Sequence, residues 1–250
     1  MPPHQTQPLI FGHRGASAHA PENTLSSFEL ALAQGAAGIE LDAKLSADSE
    51  VVVIHDQTVD RTTDGQGKVN QLRLADLKNL DAGSHFSSTF KGERIPTLEE
   101  VFLTINRRGI INVELTNYGS RHDQLPELVA ALIDKHDLKQ YVMISSFYAE
   151  NLKRFRRQLS GVPVCLLTLS GIAGSISRNL LVDWYQCDGL NPYYSDVTPG
   201  LVGRQQRKNR KINAWTVNQP EEIRRLANLH VDGIITDSPI SAYKALRGSE

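Results

Sequence analysis

The chain has 250 residues, of which 40% are hydrophobic and 22% are charged, and its formal net charge at pH 7 is -1. A length of about 250 residues suits one α/β barrel, and the composition is typical of a soluble globular protein with a sizeable core. The near-neutral charge argues against a nucleic-acid-binding protein, because surfaces that follow phosphates usually carry a strong basic excess.

The sequence shows no sign of secretion or of a membrane span. Its two cysteines, Cys165 and Cys187, each lie in an apolar strand-like segment, which indicates no disulfide framework and fits a reducing compartment. The first residues lack the basic and apolar regions of a signal peptide, and no stretch approaches the roughly 18 apolar residues of a membrane span. We therefore expect a cytoplasmic protein without membrane insertion.

Short β-branched runs alternate with helical patterns along the chain, which is typical of βαβ units and a parallel sheet. Eight strands are predicted, at Pro8–Gly12, Gly38–Leu45, Ile110–Leu115, Val142–Ser146, Val164–Leu169, Asp188–Asn191, Ile212–Val217 and Gly233–Thr236. Helical patterns lie near Thr24–Gln34, Leu98–Arg107, Leu125–Lys135, Ala149–Gln158, Ser175–Leu181, Pro199–Lys208, Glu221–Leu229 and Ile240–Leu246. Eight successive β-then-α units at this length predict a (β/α)8 TIM barrel.

Local signals set several helix ends and one long connection. Asn23 is predicted to cap the first helix, Gly35 to end it in the left-handed conformation, and Thr97 with Glu100 to form a capping box. The connection at about 57–96 is much longer than the others, and an insertion after the second strand would lie over the barrel mouth, where TIM-barrel sites form. We expect one domain over residues 1–250 with this insertion.

Three carboxylates are predicted to meet at the barrel mouth. Glu40 and Asp42 are two apart in the second strand and so project from one face, and Glu114 lies near the end of the third strand. Converging carboxylates repel, so either one is protonated or a cation neutralises them; solvated acids at a strand end are the alternative. A set of three oxygen ligands suits one divalent cation, Mg²⁺ or Ca²⁺, better than zinc.

A hairpin is predicted to bring a histidine to these acids. If Ala47–Ser49 is the turn, Leu45 pairs near Glu50, and the resulting register sets His55 opposite Glu40. The prediction depends on register, because a slip of one residue would turn His55 to the other face.

The first predicted strand runs into a second histidine, His13, and an arginine, Arg14. Histidine titrates near neutral pH and the planar guanidinium suits phosphate, but a His-Arg dipeptide on its own is more often structural or incidental. Two basic runs elsewhere, KRFRR from Lys153 and RQQRKNRK from Arg204, are predicted to be solvated helix faces or helix C-terminal charges, and we assign them no function from sequence.

An ordered series of short motifs resembles the glycerophosphodiester phosphodiesterase family over essentially the whole chain. The motifs are HRG at 13–15, PENT at 21–24, ELD at 40–42, HD at 55–56, VEL at 113–115, SSF at 145–147, AWTVN at 214–218 and GIITDSP at 233–239. The resemblance implies a TIM barrel with metal ligands Glu40, Asp42 and Glu114, catalytic His13 and His55, and Arg14 on the phosphate. It also implies that Trp215 and Phe147 line the pocket, with core packing as the alternative for Trp215.

The chain departs from the family pattern at two places. The family often has a lysine two residues after the third-strand glutamate, where this chain has Thr116, and Lys44, on the same strand face as Asp42, is a candidate to supply that charge. The hairpin often has Asp-Gly, whereas this chain has Asp48-Ser49, which is less favourable where the backbone needs a positive φ.

The resemblance implies metal-dependent hydrolysis of a small-molecule glycerophosphodiester to sn-glycerol 3-phosphate and an alcohol such as choline or ethanolamine. One alternative is a phospholipase D-like enzyme of the same fold that releases head groups from lysophospholipids or sphingolipids, and another is a non-catalytic barrel that binds a phosphodiester. We place no Ser or Cys nucleophile beside His13 or His55, so the attacking group is water or the substrate's own 2-hydroxyl.

Overall fold

The computed structural model describes residues 7–247. Nine strands form one sheet: β1 Leu9–His13, β2 Gly38–Leu45, β3 Val51–Val53, β4 Ile110–Leu115, β5 Val142–Ser146, β6 Val164–Thr168, β7 Gly189–Pro192, β8 Lys211–Ala214 and β9 Gly233–Thr236. The strand order is β1-β9-β8-β7-β6-β5-β4-β2-β3, and a further parallel pairing of β1 with β2 closes eight strands into a barrel. The predicted (β/α)8 barrel with an insertion after the second barrel strand is confirmed.

Helices surround the barrel in the predicted order. They are α1 Leu25–Ala33, α2 Leu74–Leu77, α3 Leu98–Ile105, α4 Leu125–Lys135, α5 Ala149–Gln158, α6 Gly171–Ile176, α7 Val182–Trp184, α8 Pro199–Gln206, α9 Pro220–Asn228 and α10 Pro239–Arg247. The fifth predicted helix, Ser175–Leu181, differs, because helical structure already begins at Gly171 and passes through a π-helical turn, Ser177–Leu181, into α7. Among residues 7–247 no helix combines the length and the apolar character needed to cross a bilayer.

The second strand shows how packing positions the site. Every residue of β2 is buried. Ile39 and Leu41 belong to the main hydrophobic core, together with Phe28 of α1 and Ile105 of α3. Because side chains alternate along a strand, this outward packing turns the alternate residues into the barrel.

The ends of the first and third helices test the capping predictions. The N-cap of α1 is Thr24, whose side chain accepts from the Ser27 backbone N–H, so the prediction of Asn23 as the cap is wrong. Asn23 instead adopts a left-handed conformation with φ 58°. Gly35 has the predicted positive φ of 89°. The capping box of Thr97 with Glu100 at the start of α3 is also confirmed.

The hairpin register differs from the prediction by one residue. The turn does include Ala47–Ser49, but the Ser46 N–H donates to the Glu50 carbonyl across the loop at 3.0 Å. Leu45 is therefore opposite Val51, and the ladder ends at the pair Ala43 and Val53. The expected opposition of His55 and Glu40 is wrong, because a three-residue loop sets Ser46, and not Leu45, against Glu50.

The segment after the hairpin builds a small core of its own. Val59, Val69, Leu77 and Ala82 cluster with Val52 and other apolar residues of the hairpin and its surroundings. Two short 3₁₀ turns, Val69–Gln71 and Ser88–Phe90, and helix α2 supply its regular structure. This core holds the insertion against β3, and Arg61 from the same segment reaches Glu22.

Candidate active site

The three predicted acids converge at the end of β2 and β4. Asp42 and Glu114 are register partners across these strands, and Glu40 precedes Asp42 by two residues on β2. One carboxylate oxygen from each of the three residues lies within 4.8 Å of the others. Glu40 and Asp42 are buried, and Glu114 is partly exposed.

Burial and repulsion from neighbouring acids disfavour the ionised forms of Glu40 and Glu114. Burial, followed by the charges of Asp42 and Glu114, raises the pKa of Glu40 well above its ordinary value of 4.5. Burial and the charge of Asp42 raise the pKa of Glu114 from 4.5 to about 8, although a hydrogen bond from Tyr118 acts in the opposite direction. Such a cluster of oxygen ligands without enough positive charge is the donor set that a hard divalent cation satisfies.

Two neighbouring side chains hold the acids in place. The Asn23 amide donates to Asp42 Oδ2 at 2.9 Å, and its carbonyl oxygen accepts from the Asp42 backbone N–H at 3.3 Å. The Tyr118 hydroxyl donates to Glu114 Oε1 at 2.8 Å and accepts from the Phe147 backbone N–H at 3.1 Å. The left-handed backbone of Asn23 thus serves to orient Asp42, which explains why the neighbouring Thr24 takes over the helix cap.

Arg14 lies against two of the three acids, Glu40 and Asp42, and against Glu22. Its backbone N–H donates to Glu40 Oε2 at 3.0 Å, and its Nη1 donates to Glu22 Oε1 at 2.9 Å. The buried Nε has no hydrogen-bond partner and lies 3.3 Å from Asp42 Oδ2. Burial opposes the charge, but Asp42, Glu22 and Glu40 outweigh it and raise the guanidinium pKa. Arg14 therefore stays a cation beside the carboxylates.

His13, the last residue of β1, is held by an aspartate from the opposite end of the chain. Its Nδ1 lies 2.6 Å from Asp237 Oδ1, directly after β9. Ser17 and Asn218 donate to the same carboxylate. Burial opposes ionisation of Asp237, but the contact with His13 outweighs it and lowers the Asp237 pKa. An ionised carboxylate only accepts hydrogen bonds, so Nδ1 carries the hydrogen and Nε2 is left for other partners.

His55 has a similar arrangement on the more exposed side. Its Nδ1 lies 2.7 Å from Asp56 Oδ1, and Arg61 Nε donates to Asp56 Oδ2 at 2.7 Å. Hydrogen bonds from Arg61 lower the pKa of Asp56. Although burial opposes it, hydrogen bonds from Arg61 and the positive charge of Arg14 together lower the pKa of Glu22 to about 2. His55 is thus linked to Arg14 by successive contacts through Asp56, Arg61 and Glu22. Arg14 in turn contacts the carboxylates of Glu40 and Asp42.

Lys44 reaches the position where the family often has a lysine. Its Nζ donates to the Thr116 hydroxyl at 2.7 Å and to the Thr116 carbonyl at 2.9 Å. Burial lowers the ammonium pKa, and the nearby charges of Asp42 and Glu114 partly offset this effect. Lys44 lies on β2 and Thr116 directly follows the adjacent strand β4, so the Lys44 ammonium lies beside the position of Thr116.

Aromatic side chains follow the ends of three strands on one side of the site. Phe147 comes directly after β5, Tyr193 after β7 and Trp215 after β8. The Trp215 ring makes edge contacts with Phe147 at 5.4 Å and with Tyr193 at 5.6 Å between centroids. Its Nε1 donates to the Asn191 carbonyl at 2.8 Å. Trp215 is partly exposed and fixed in orientation, which suits a pocket wall better than a core position.

The sequence alone did not assign roles to Asp237, Asp56, Tyr118 or Arg61. Asp56 and Asp237 were inside the HD and GIITDSP motifs, and their places directly after a histidine and after a strand were the available signals. Tyr118 and Arg61 lie in loops, where no periodic pattern predicts the direction of a side chain.

The chain matches one family model and several named phosphodiesterases. Residues 13–241 match the model of the Glycerophosphoryl diester phosphodiesterase family. A glycerophosphodiester phosphodiesterase of Caldanaerobacter subterraneus is 37% identical over 240 residues, which cover 96% of this chain and 98% of that protein. A glycerophosphodiester phosphodiesterase of Bacillus altitudinis is 34% identical, with 94% of this chain and 96% of that protein covered.

Solved structures with the same fold also match the chain. An Oleispira antarctica phosphodiesterase in complex with the product sn-glycerol-3-phosphate superposes with a TM-score of 0.87 at 29% identity, covering 97% of this chain and 98% of that one. A glycerophosphodiester phosphodiesterase from Agrobacterium tumefaciens gives a TM-score of 0.82 at 28% identity, covering 95% of this chain and 100% of that one.

Proposed function

The chain belongs to the glycerophosphoryl diester phosphodiesterase family and is an enzyme of that kind, and from this premise we propose that it hydrolyses glycerophosphodiesters with a divalent cation and two histidines. The products are sn-glycerol 3-phosphate and an alcohol such as choline or ethanolamine. The observation that carries the proposal is the meeting of three carboxylates within 4.8 Å, with two carboxylate-bound histidines connected to the same site.

Glu40, Asp42 and Glu114 would hold one cation, either Mg²⁺ or Ca²⁺. The fit rests on two features of the residues: all three ligands are carboxylate oxygens, and burial together with repulsion from the neighbouring acids raises the pKa values of Glu40 and Glu114. A divalent cation bound there would neutralise the carboxylates and part of the phosphate charge and would polarise a phosphate oxygen.

Arg14 and Lys44 would bind the phosphate from the protein side. Arg14 has a buried Nε without a hydrogen-bond partner, which an anionic oxygen would satisfy. Lys44 has two neutral oxygen partners on Thr116, so its ammonium also has a hydrogen left to donate. Two cations on the phosphodiester would favour the extra negative charge that develops in the transition state.

His13 and His55 would transfer the protons. With Nδ1 hydrogen-bonded to Asp237 or Asp56, each ring presents Nε2 to the substrate. One neutral ring takes the proton of the attacking hydroxyl, and the other, protonated, gives a proton to the departing alcohol oxygen. Positioned acid and base groups of this kind contribute about 10²–10⁴-fold each.

The attacking oxygen is proposed to be the substrate's own glycerol 2-hydroxyl. It is tethered near phosphorus, so its attack has the advantage of an intramolecular reaction. Its oxygen bonds to phosphorus, the bond from phosphorus to the alcohol oxygen breaks, and a cyclic glycerol phosphate remains. Water then opens the ring, and the two histidines exchange roles as proton donor and acceptor.

The aromatic wall and the insertion would complete the pocket. Phe147 and Trp215 would contact the apolar edges of the substrate, and the insertion at about 57–96 would cover the mouth, where Arg61 already reaches Glu22. We treat residues 1–250 as one domain with this insertion.

A turnover assay with His13→Asn and His55→Asn tests this proposal. The wild type should release sn-glycerol 3-phosphate from glycerophosphocholine, and each variant should lose about 10²-fold or more in kcat while still binding the cation. Release of choline from lysophosphatidylcholine without turnover of glycerophosphocholine would favour the phospholipase D-like alternative. Binding of glycerophosphocholine without any turnover would favour the non-catalytic barrel.

A further inference from the structure

An unpaired apolar stripe runs along the outer face of the fifth β/α unit of the barrel, the helical segment that follows β6. Five large apolar side chains define it: Leu169, Ile172, Ile176, Leu180 and Trp184 are 57%, 86%, 53%, 63% and 82% exposed, respectively. From Ile172 onward the residues recur every four positions. Contiguous exposed apolar surface of this kind marks an interaction site, whereas single exposed apolar residues need no explanation.

The π-helical turn keeps the stripe straight. In an ideal α-helix, positions four apart drift by about 40° at each step, so four such positions would wind around the helix. The wider turn at Ser177–Leu181 lies in the middle of the segment and turns less per residue, which offsets this drift. Ile172 and Trp184 therefore remain on one exposed side.

The charged side chains of this segment form ion pairs with residues outside it. Residues 169–184 contain two charged side chains, Arg178 and Asp183. Arg178 is buried, donates to the Leu169 carbonyl at 2.8 Å and pairs with Asp196 at 2.8 Å. Asp183 pairs with Lys208 at 2.6 Å and with Arg210. The exposed residues of the segment are mainly apolar, with Ser170 and Asn179 as polar exceptions, and the one acid of the segment is already paired.

Both basic runs of the sequence adjoin the C-terminal end of the stripe. Lys153, Arg156 and Arg157 of α5 line a cleft of about 310 Å³ together with Trp184, and Lys153 and Arg156 also pair with Glu150 and Asp188. Residues 199–211 carry five cations and no acid, and Lys208 and Arg210 from them pair with Asp183. Arg157 has no ion-pair partner within the described part of the chain.

We propose that residues 169–184 form a peripheral docking face for a lipid surface that contains anionic head groups. Aliphatic residues and a tryptophan on one side of a helix, bordered by lysine and arginine, are typical of helices that lie in the plane of a membrane interface. The apolar stripe would enter the head-group region, and the basic runs would contact lipid phosphates, each basic residue adding attraction to an anionic leaflet. The helix would lie on the bilayer and would not cross it.

A second copy of the chain fits this face less well. Fourteen helical residues span about 21 Å, and a stripe about 10 Å wide covers about 200 Å², against about 800 Å² per partner in a stable interface. A two-fold dimer also places the same patch against itself, so the basic runs would oppose one another. A nucleic acid would gain nothing from the aliphatic side chains.

Vesicle binding tests the proposal with matched variants. Wild-type protein should co-sediment with vesicles of phosphatidylcholine and phosphatidylglycerol, bind phosphatidylcholine vesicles far less, and be released by salt. Ile172→Ser and Arg157→Glu should each weaken binding about tenfold. Leu103→Ser is the control, because Leu103 is 63% exposed on α3, outside the stripe, and its loss should change nothing.

Fluorescence supplies a direct readout of the face. The chain has two tryptophans, and the emission of Trp184 should shift to shorter wavelength on phosphatidylglycerol vesicles, a shift absent in Trp184→Phe. Thermal melts of every variant check folding independently of enzyme activity. Equal vesicle binding by wild type and Ile172→Ser, or no binding by the wild type, would overturn the proposal. A dimer that Ile172→Ser dissociates, without vesicle binding, would assign the face to a second copy.

Discussion

Removing divalent cations with a chelator should make the stability of the protein fall as pH rises from about 5 to about 8. The pKa of Glu114 in the folded chain is about 8, above its ordinary 4.5, and that of Glu40 is also raised. Between pH 4.5 and about pH 8 the folded state binds more protons than the unfolded state, so the free energy of unfolding decreases with rising pH. The stabilising effect of protonation is complete below about pH 4.5 and is lost above about pH 8.

The size of the effect follows from the geometry. A rise of the Glu114 pKa from 4.5 to about 8 corresponds to at most about 5 kcal/mol of lost stability. Two unit charges no more than 4.8 Å apart, as the carboxylate oxygens of the cluster are, repel by at least about 3.5 kcal/mol at an effective dielectric constant of about 20. Glu114 is partly exposed, so solvent screening reduces the cost to about 2–3 kcal/mol, or about 4–12 °C in Tm for a chain of this length.

Thermal melts followed by circular dichroism would measure this slope. In excess chelator, the Tm of the wild type should fall between about pH 5 and pH 8, and Mg²⁺ or Ca²⁺ should raise it most at the upper end. Glu114→Gln should flatten the profile, whereas Glu150→Gln, which removes an acid from α5, should keep it. A chelated wild type with the same slope as Glu114→Gln would refute the electrostatic argument.

Four further predictions concern catalysis. Lys44→Gln should lower kcat/KM for glycerophosphocholine by about tenfold or more. Adding Thr116→Lys should recover part of this kcat/KM, because the new ammonium would start from the adjacent position; no recovery would show that Lys44 acts elsewhere. Asp237→Asn should lower kcat and change its pH profile with little change in KM, since it alters the His13 tautomer; an unchanged pH profile would leave Asp237 a structural role. Trp215→Ala should mainly raise KM, and loss of folding with a normal KM in the folded remainder would favour core packing. A substrate lacking only the 2-hydroxyl should bind but turn over much more slowly, and its normal turnover would assign the attack to water.

The convergence of the three acids was predictable because their pattern is local. A two-residue spacing fixes two carboxylates on one face of a strand, and the parallel barrel then brings Glu114 to the adjacent strand at the same height. The alternation of apolar and acidic residues in β2 needed no knowledge of distant contacts. Tyr118, which donates to Glu114 from a loop, had no such pattern and was missed.

Features that depend on a turn or on distant residues were harder to predict. The hairpin register failed by one residue because the Ser46 to Glu50 hydrogen bond, and not the apolar pattern, closes the loop. Ser49 holds a φ of 65° there without the glycine that usually signals it. The His13 contact with Asp237 joins residues 224 apart, and only the closed barrel brings β1 beside β9.

Turnover of glycerophosphocholine by chelated protein, measured as Mg²⁺ or Ca²⁺ is returned, tests the central claim most directly. We expect no turnover without a cation, recovery that saturates at one cation per chain, and a much weaker response in Glu40→Gln, because this variant removes one of three converging ligands. Full turnover in excess chelator, with metal analysis finding no bound cation, would contradict the account.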